Sequence, residues 1–198
     1  VMVKMSEAAR QFAQAFAEAV SQYFLADMVS VVVGDVDIAV AFSQLPFDHL
    51  IYTGSTEVGK KIMAAAAPNL TPVTLELGGK SPVIVLEEAD LESAVNRIMT
   101  GKTLNAGQTC IAPDYVLINR KHHAQFIALA KQWMRKHYPS ITTNKDYTHI
   151  INNAQFNRVR KYLDKIPEEN IHHTTDVQPD IDSRLMPPVI VTEPAADS

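Results

Sequence analysis

The 198-residue chain holds a single cysteine, Cys110, and that scarcity excludes an intramolecular disulfide framework. A lone free thiol fits a reducing compartment, so the cytoplasm is the expected setting. No stretch reaches the roughly 18 apolar residues needed to cross a bilayer, and no charged-then-apolar leader opens the chain, so a soluble protein is expected. Basic residues are not in excess either. Eighteen Lys and Arg against 22 Asp and Glu give a net charge of −4, and the cations are scattered, so nothing favours a nucleic acid partner.

What is present is ordinary globular composition, 46% hydrophobic and 20% charged, enough for a buried core and for one or two domains. The chain opens on the strand-like Val1-Met2-Val3 and stops at Ala195-Ala196-Asp197-Ser198 just after another apolar run, which points to a piece of a longer protein.

Along the chain, short β-branched runs alternate with helical periodicity. A strand at 1–3 precedes Phe12, Phe16, Val20, Tyr23 and Phe24 at helical spacing, and a strand at 28–33 is closed by Gly34-Asp35. A short helix over 37–42, a strand at 49–53, a helix from Gly54-Ser55 to residue 67 and a strand at 71–76 follow. After Gly78-Gly79 the same punctuation predicts a strand at 82–86, a helix over 90–99, a loop carrying Cys110, a strand at 114–119, helices over 121–138 and 152–166, and a strand at 189–191. The long helix should bury Phe126, Ala130, Trp133, Met134 and His137, and the next one Phe156, Val159, Tyr162 and Leu163. The fold class is α/β, a parallel sheet covered on both faces, with the glycine pair as the hinge between two units.

Several residues invite chemistry, each beside a blander reading. Cys110, in Gly107-Gln108-Thr109-Cys110, is a soft nucleophile able to add to a carbonyl, although a lone cysteine is more often an inert small hydrophobe. Glu76 ends a strand, where open α/β sheets place their ligand crevice, and suits a general base, yet a solvated strand-end carboxylate is the commoner case. Gly78 and Gly79 allow close approach of backbone or of a flat ring. Gly54-Ser55-Thr56-Glu57-Val58-Gly59 follows a strand and opens a helix, the right context for facing a phosphate, but it lacks the G-x-G-x-x-G spacing, and Ser55 serves equally well as an ordinary cap. Lys4 and Glu7 could hold ribose hydroxyls or simply be solvated. The pairs His122-His123 and His172-His173 have no metal-ligand spacing, and no metal site is expected. Lys131, Arg135 and Lys136 read as a solvated helix face.

Together, 47–60, 70–82 (Leu-Glu-Leu-Gly-Gly-Lys-Ser-Pro at its end) and 105–115 (Asn-Ala-Gly-Gln-Thr-Cys-Ile-Ala-Pro-Asp-Tyr) resemble, in order and spacing, the cofactor helix, glutamate signature and cysteine signature of the aldehyde dehydrogenase superfamily. Ala112-Pro113-Asp114-Tyr115, Asp146-Tyr147 and Ile150-Ile151-Asn152 are similar to its class 3 branch and, within it, to the bacterial coniferyl-aldehyde group. The resemblance implies the second half of a Rossmann-like NAD(P)-binding domain over 1–77 and the first part of a catalytic domain over 78–198. It implies Cys110 as the nucleophile that forms a thiohemiacetal and then a thioester, NAD(P)+ as hydride acceptor, and Glu76 as base for the hydrolytic water. The Cys110 N–H would be one oxyanion donor.

Cofactor contacts implied by the likeness are Lys4, Glu7, Gly54, Ser55, Val58, Gly59, Leu77 and Gly78, with Ser55 toward the pyrophosphate and Leu77 and Gly78 lining the nicotinamide pocket. Lys4-Met5-Ser6-Glu7 departs from the family's Lys-Pro-Ser-Glu in Met5, and loss of the proline should loosen that turn. A carboxylate at Glu7 accepts a 2′-hydroxyl and leans towards NAD over NADP. The family's Pro-Trp-Asn segment, with its oxyanion asparagine, its Glu-Glu-x-Phe-Gly-Pro segment and its oligomerisation arm have no counterpart within 1–198. The polypeptide alone is therefore expected to be inactive, while its parent would be a homodimer acting on a small aldehyde. A CoA-acylating relative and a non-catalytic fragment that keeps the fold are the competing readings.

Overall fold

The chain divides within the Gly78-Gly79 pair into two units, Val1–Gly78 and Gly79–Ser198. The computed structural model describes residues 1–194, so the expected chain end at 195–198 lies outside the described residues.

In the first unit β1 (Met2–Lys4), α1 (Arg10–Tyr23) and β2 (Ser30–Val32) form a parallel crossover, and β3 (Leu50–Gly54), α3 (Thr56–Ala66) and β4 (Val73–Leu77) form a second, with α2 (Val36–Ser43) between them. The parallel register runs from Leu50 beside Val73 to Gly54 beside Leu77. Ser55 starts α3, its hydroxyl accepting from Val58 N at 3.3 Å. Pro68 and Leu70, the latter at φ 55°, end the segment. A Cβ on Gly59 would stand 2.9 Å from Leu77 Cδ2 and 3.6 Å from Leu75 Cδ1, so glycine there lets α3 lie against one face of β4.

The expected loosening at Met5 does not occur. The Met5 N–H donates to Val32 O at 3.1 Å and adds a bond beyond the β1–β2 ladder, a bond that proline could not make.

The second unit contains β5 (Ser81–Val85), α4 (Leu91–Thr103), β6 (Pro113–Ile118), α5 (His123–His137), α6 (Asn153–Leu163), β7 (Ile171–His173) and β8 (Val189–Val191). Strands β5 and β6 are parallel, whereas β7 and β8 are antiparallel. Its main core joins Val85, Val95, Met99, Phe126, Ala130 and Met134, and a smaller one joins Ile150, Phe156 and Met186. Ala106 packs against both.

Three expectations need correction. Tyr162 is 56% exposed, its hydroxyl accepting from Arg158 Nη1 at 2.8 Å. His137 is exposed, stacked on Trp133 at 4.0 Å. On α1, Ala13 and Val20 are buried while Phe12 and Tyr23 are exposed. Two of the strand pairs, β3–β4 and β5–β6, are also covered on one face only among the described residues. Val83, Val85, Val116 and Ile118 face the core, while Ile84 and Leu117 are 68% and 53% exposed on the other face. Ile51 of β3, opposite the face that α3 covers, is 71% exposed.

Candidate active site

Helix α4 runs past its expected end and passes into a turn at Leu104–Gly107 whose last three residues, Asn105, Ala106 and Gly107, all have φ between 52° and 75°. Gly107 adopts this at no steric cost and Asn105 at little, but Ala106 bears a cost of about 1–2 kcal/mol. The turn delivers Cys110 with its thiol exposed. Its carbonyl accepts from Ser81 Oγ at 3.2 Å and lies 2.7 Å from where a Cβ on Gly79 would stand. Its main-chain N–H has no acceptor among the described residues.

Two further side chains shape this loop. Gln108 Nε2 donates to Asn105 O at 3.0 Å and to His149 O at 3.2 Å, and its Oε1 accepts from Ile151 N at 2.9 Å. Lys102, near the end of α4, lays its methylenes beside Gly107, with Cε 3.3 Å from that residue's Cβ position. Burial pushes the Lys102 ammonium below the usual lysine range, Asp114 opposing and Lys80 adding to the effect. Lys80 and Asp114 are themselves paired at 3.0 Å.

Glu76 lies in the first unit, exposed, next to Thr53 across the β3–β4 register and on the face opposite the one that packs on α3. Leu77 is half-buried against Gly59. Nothing lies within 4 Å of a Cβ position on Gly78.

Lys4 and Glu7 come together at 3.2 Å, with the Lys4 side chain only 10% exposed. The main-chain N–H of Glu7, and then the Lys4 ammonium, hold the Glu7 carboxyl below the usual carboxylate range. Glu7 borders a cavity of about 200 Å³ just beyond the carboxyl ends of β1 and β2, lined also by Ser6, Arg10, Val33, Gly34 and Asp35. Arg10 and Asp35 pair across it at 2.6 Å. On the α3 side, Gly54 makes room for the Tyr52 hydroxyl, Val58 is 41% exposed, and Ser55 is engaged as the helix cap.

The fold thus joins Lys4 to Glu7, Gly54 and Gly59 to Leu77, and Cys110 to Gly79. The sequence reading took Gly34 only as the close of a strand and gave it no role in the site, although it lies just beyond the carboxyl end of β2, where a ligand crevice is expected. It also gave no role to Lys102, which meets Gly107, or to Ser81 and Gln108, whose bonds to Cys110, His149 and Ile151 span 29 to 43 residues and leave no local signal. Among the described residues no group of three or more His, Cys, Asp and Glu side chains could hold a metal ion, and no helix is long and apolar enough to cross a membrane.

The profile of the Aldehyde dehydrogenase family matches residues 1–198. A protein of Pseudomonas aeruginosa called probable coniferyl aldehyde dehydrogenase is 50% identical over 169 residues, which is 85% of this chain and 36% of that protein. The rat dimeric NADP-preferring aldehyde dehydrogenase is 43% identical over 165 residues, 83% of this chain and 36% of its own length. A crystal structure of a Mycobacterium tuberculosis aldehyde dehydrogenase complexed with NAD+ superposes with a TM-score of 0.83 at 26% identity, covering 99% of this chain and 42% of that one. The chain thus spans about two-fifths or less of the length of these relatives. A mixed α/β arrangement with parallel strand pairs, the three signatures in their order and a match along the whole sequence agree: this chain belongs to the aldehyde dehydrogenase family.

Proposed function

We propose that the chain is the central segment of an NAD(P)+-dependent aldehyde dehydrogenase that oxidises an aldehyde to a carboxylic acid, with Val1–Gly78 contributing to the nucleotide domain and the residues after it to the catalytic domain. The observation that carries this reading is the presentation of Cys110, an exposed thiol on a loop held by Gly79 and Ser81 and with a free main-chain N–H beside it. The thiolate adds to the aldehyde carbon, and the Cys110 N–H donates to the oxygen that becomes negative, a kind of contact whose removal costs about 3–4 kcal/mol in such sites.

The residues present fit the cofactor. Glu7, kept anionic at the cavity beyond β1 and β2, accepts from ribose hydroxyls and disfavours a 2′-phosphate, which leans towards NAD while leaving NADP open. Lys4 steadies that carboxylate. The start of α3, with Gly54, Ser55, Val58 and Gly59, faces the pyrophosphate, and the Ser55 hydroxyl, which accepts from Val58 N in the cap, keeps its own O–H to donate. Leu77 and the open surroundings of Gly78 receive the nicotinamide ring. When bound, NAD(P)+ supplies the two-electron acceptor that turns the thiohemiacetal on Cys110 into a thioester.

Glu76 is the base that takes a proton from the water attacking this thioester, and its exposure keeps it wetted. A water-activating carboxylate favours hydrolysis over transfer to CoA. Coniferyl-type aromatic aldehydes are the proposed substrate class and a cytoplasmic homodimer the proposed parent, whereas residues 1–198 by themselves lack turnover. The test uses a full-length protein containing this segment, with Glu76→Gln, treated with coniferaldehyde and NAD+. An acyl group on Cys110, found by mass spectrometry of the digested protein, is expected; undiminished turnover without an adduct on Cys110 sinks the assignment.

A further inference from the structure

The turn before Cys110 is held in an unfavourable left-handed shape, and among the described residues the side chain that bonds it to the chain beyond is that of Gln108. Gln108 uses both carboxamide hydrogens and its oxygen on three main-chain groups: Asn105 O inside the turn, and His149 O and Ile151 N on a separate segment. The amide orientation follows from these partners, because an N–H can be met only by the oxygen and two carbonyls only by the nitrogen. Asn105 Nδ2 returns a bond to Gln108 O at 3.2 Å, and Gln108 N bonds Asn105 O at 3.0 Å.

The segment at the far side is itself anchored. Ile150 N donates to Arg184 O and Arg184 Nε donates to Ile150 O, both at 2.9 Å. His149 Nδ1 meets Ser183 O at 2.7 Å, and since a carbonyl needs a donor, Nδ1 carries the proton. Ile150 is buried in the smaller core, and Ala106 in the turn packs against both cores.

We propose that Gln108 is a positioning residue that hangs the left-handed turn, and with it Cys110, from the 149–151 segment and through that segment from Arg184. This rests on the reading of Cys110 as the nucleophile for its functional meaning, but not for its test. Removing the amide leaves the strain at Ala106 unopposed at one end, and the turn relaxes locally while α4 and α5, buried in the main core, remain folded.

The experiment compares the 198-residue chain with its Gln108→Met and Gln108→Glu variants by hydrogen exchange and by the rate of iodoacetamide labelling at Cys110. In Gln108→Met, protection of peptides spanning 104–112 and 149–151 is expected to fall together by about tenfold or more, with peptides from α4 and α5 unchanged and the labelling rate moving towards that of the unfolded chain. Gln108→Glu behaves the same at pH 8, where a carboxylate faces two carbonyl oxygens. It recovers towards wild type at pH 5, as the neutral acid regains one donor to a carbonyl. Unchanged protection in Gln108→Met overturns the proposal, as does loss of protection throughout the unit, or a Gln108→Glu variant indifferent to pH. A catalytically irrelevant Cys110 would leave all of these readouts standing and would appear only as a missing acyl adduct in the Glu76→Gln experiment.

Discussion

The carbonyl oxygen of Cys110 stands 2.7 Å from the point where a side chain on Gly79 would begin, so the second glycine of the Gly-Gly pair is a mould for the cysteine loop. Its neighbour Gly78 has nothing within 4 Å of the same point. Two adjacent glycines therefore have different reasons to be glycine.

Gly79→Ala is expected to destabilise by about 1–3 kcal/mol, because a main-chain oxygen cannot give way as a flexible side-chain tip could. Gly78→Ala is expected to stay within about 0.5 kcal/mol. Urea unfolding of both variants checks the pair, and equal effects would refute the distinction.

Met134→Ala should cost about 2–5 kcal/mol, since Met134 is wholly buried beside Phe126 and Ala130. Tyr162→Ala should cost less than about 1 kcal/mol, because that ring is more than half exposed and its contact with Arg158 lies at the surface. The sequence reading placed both side chains inside. A large loss at Tyr162 in thermal unfolding would restore that reading.

Lys102 bears on alkaline stability. Its folded-state pKa lies below the unfolded one, so between the two values the unfolded chain binds more protons and stability rises with pH. Lys102→Met keeps the methylenes beside Gly107 and removes the desolvated charge. The variant is expected to equal or exceed wild type at pH 7, with the gap closing as pH approaches the ordinary lysine value of about 10.4. Unfolding curves at pH 7 and pH 9.5 measure this, and a variant clearly weaker than wild type at pH 7 contradicts it.

Glu7 acts at the acid end. Its carboxyl is held below the usual range, so its contribution is complete above the unfolded value of about 4.3 and fades as pH falls through the folded one. Glu7→Gln should lower stability at neutral pH by less than about 1 kcal/mol, because the Lys4 pair is partly exposed, and should flatten the acid limb, so that the gap to wild type closes as pH falls below about 4.5. An acid limb identical to wild type would argue that Lys4 and Glu7 do not form this pair in solution.

The strands and helices were legible because period and punctuation are local. Ser55 before Thr56 to Val58 announces a cap, and the β-branched runs announce parallel strands. The left-handed turn at Asn105–Gly107 was not, since Ala106 has no preference for it and the bonds that stabilise it come from Gln108 and the 149–151 segment. Strand β7 was missed because Ile171-His172-His173 carries little β signal and is formed by pairing with β8. At Met5 the reading weighed what proline would have contributed and overlooked what an N–H could add. For the candidate site, the reacting residues were visible as motifs, while the groups that hold them in place are distant in sequence.

Ile51, Ile84 and Leu117 lie on strand faces that nothing among the described residues covers. In dilute solution that grease has no partner but another copy or a detergent, so the polypeptide handled alone should scatter light increasingly as it is concentrated, and mild surfactant should disperse it. Its apparent melting point would then report how much protein is in the tube as well as how well each unit is packed.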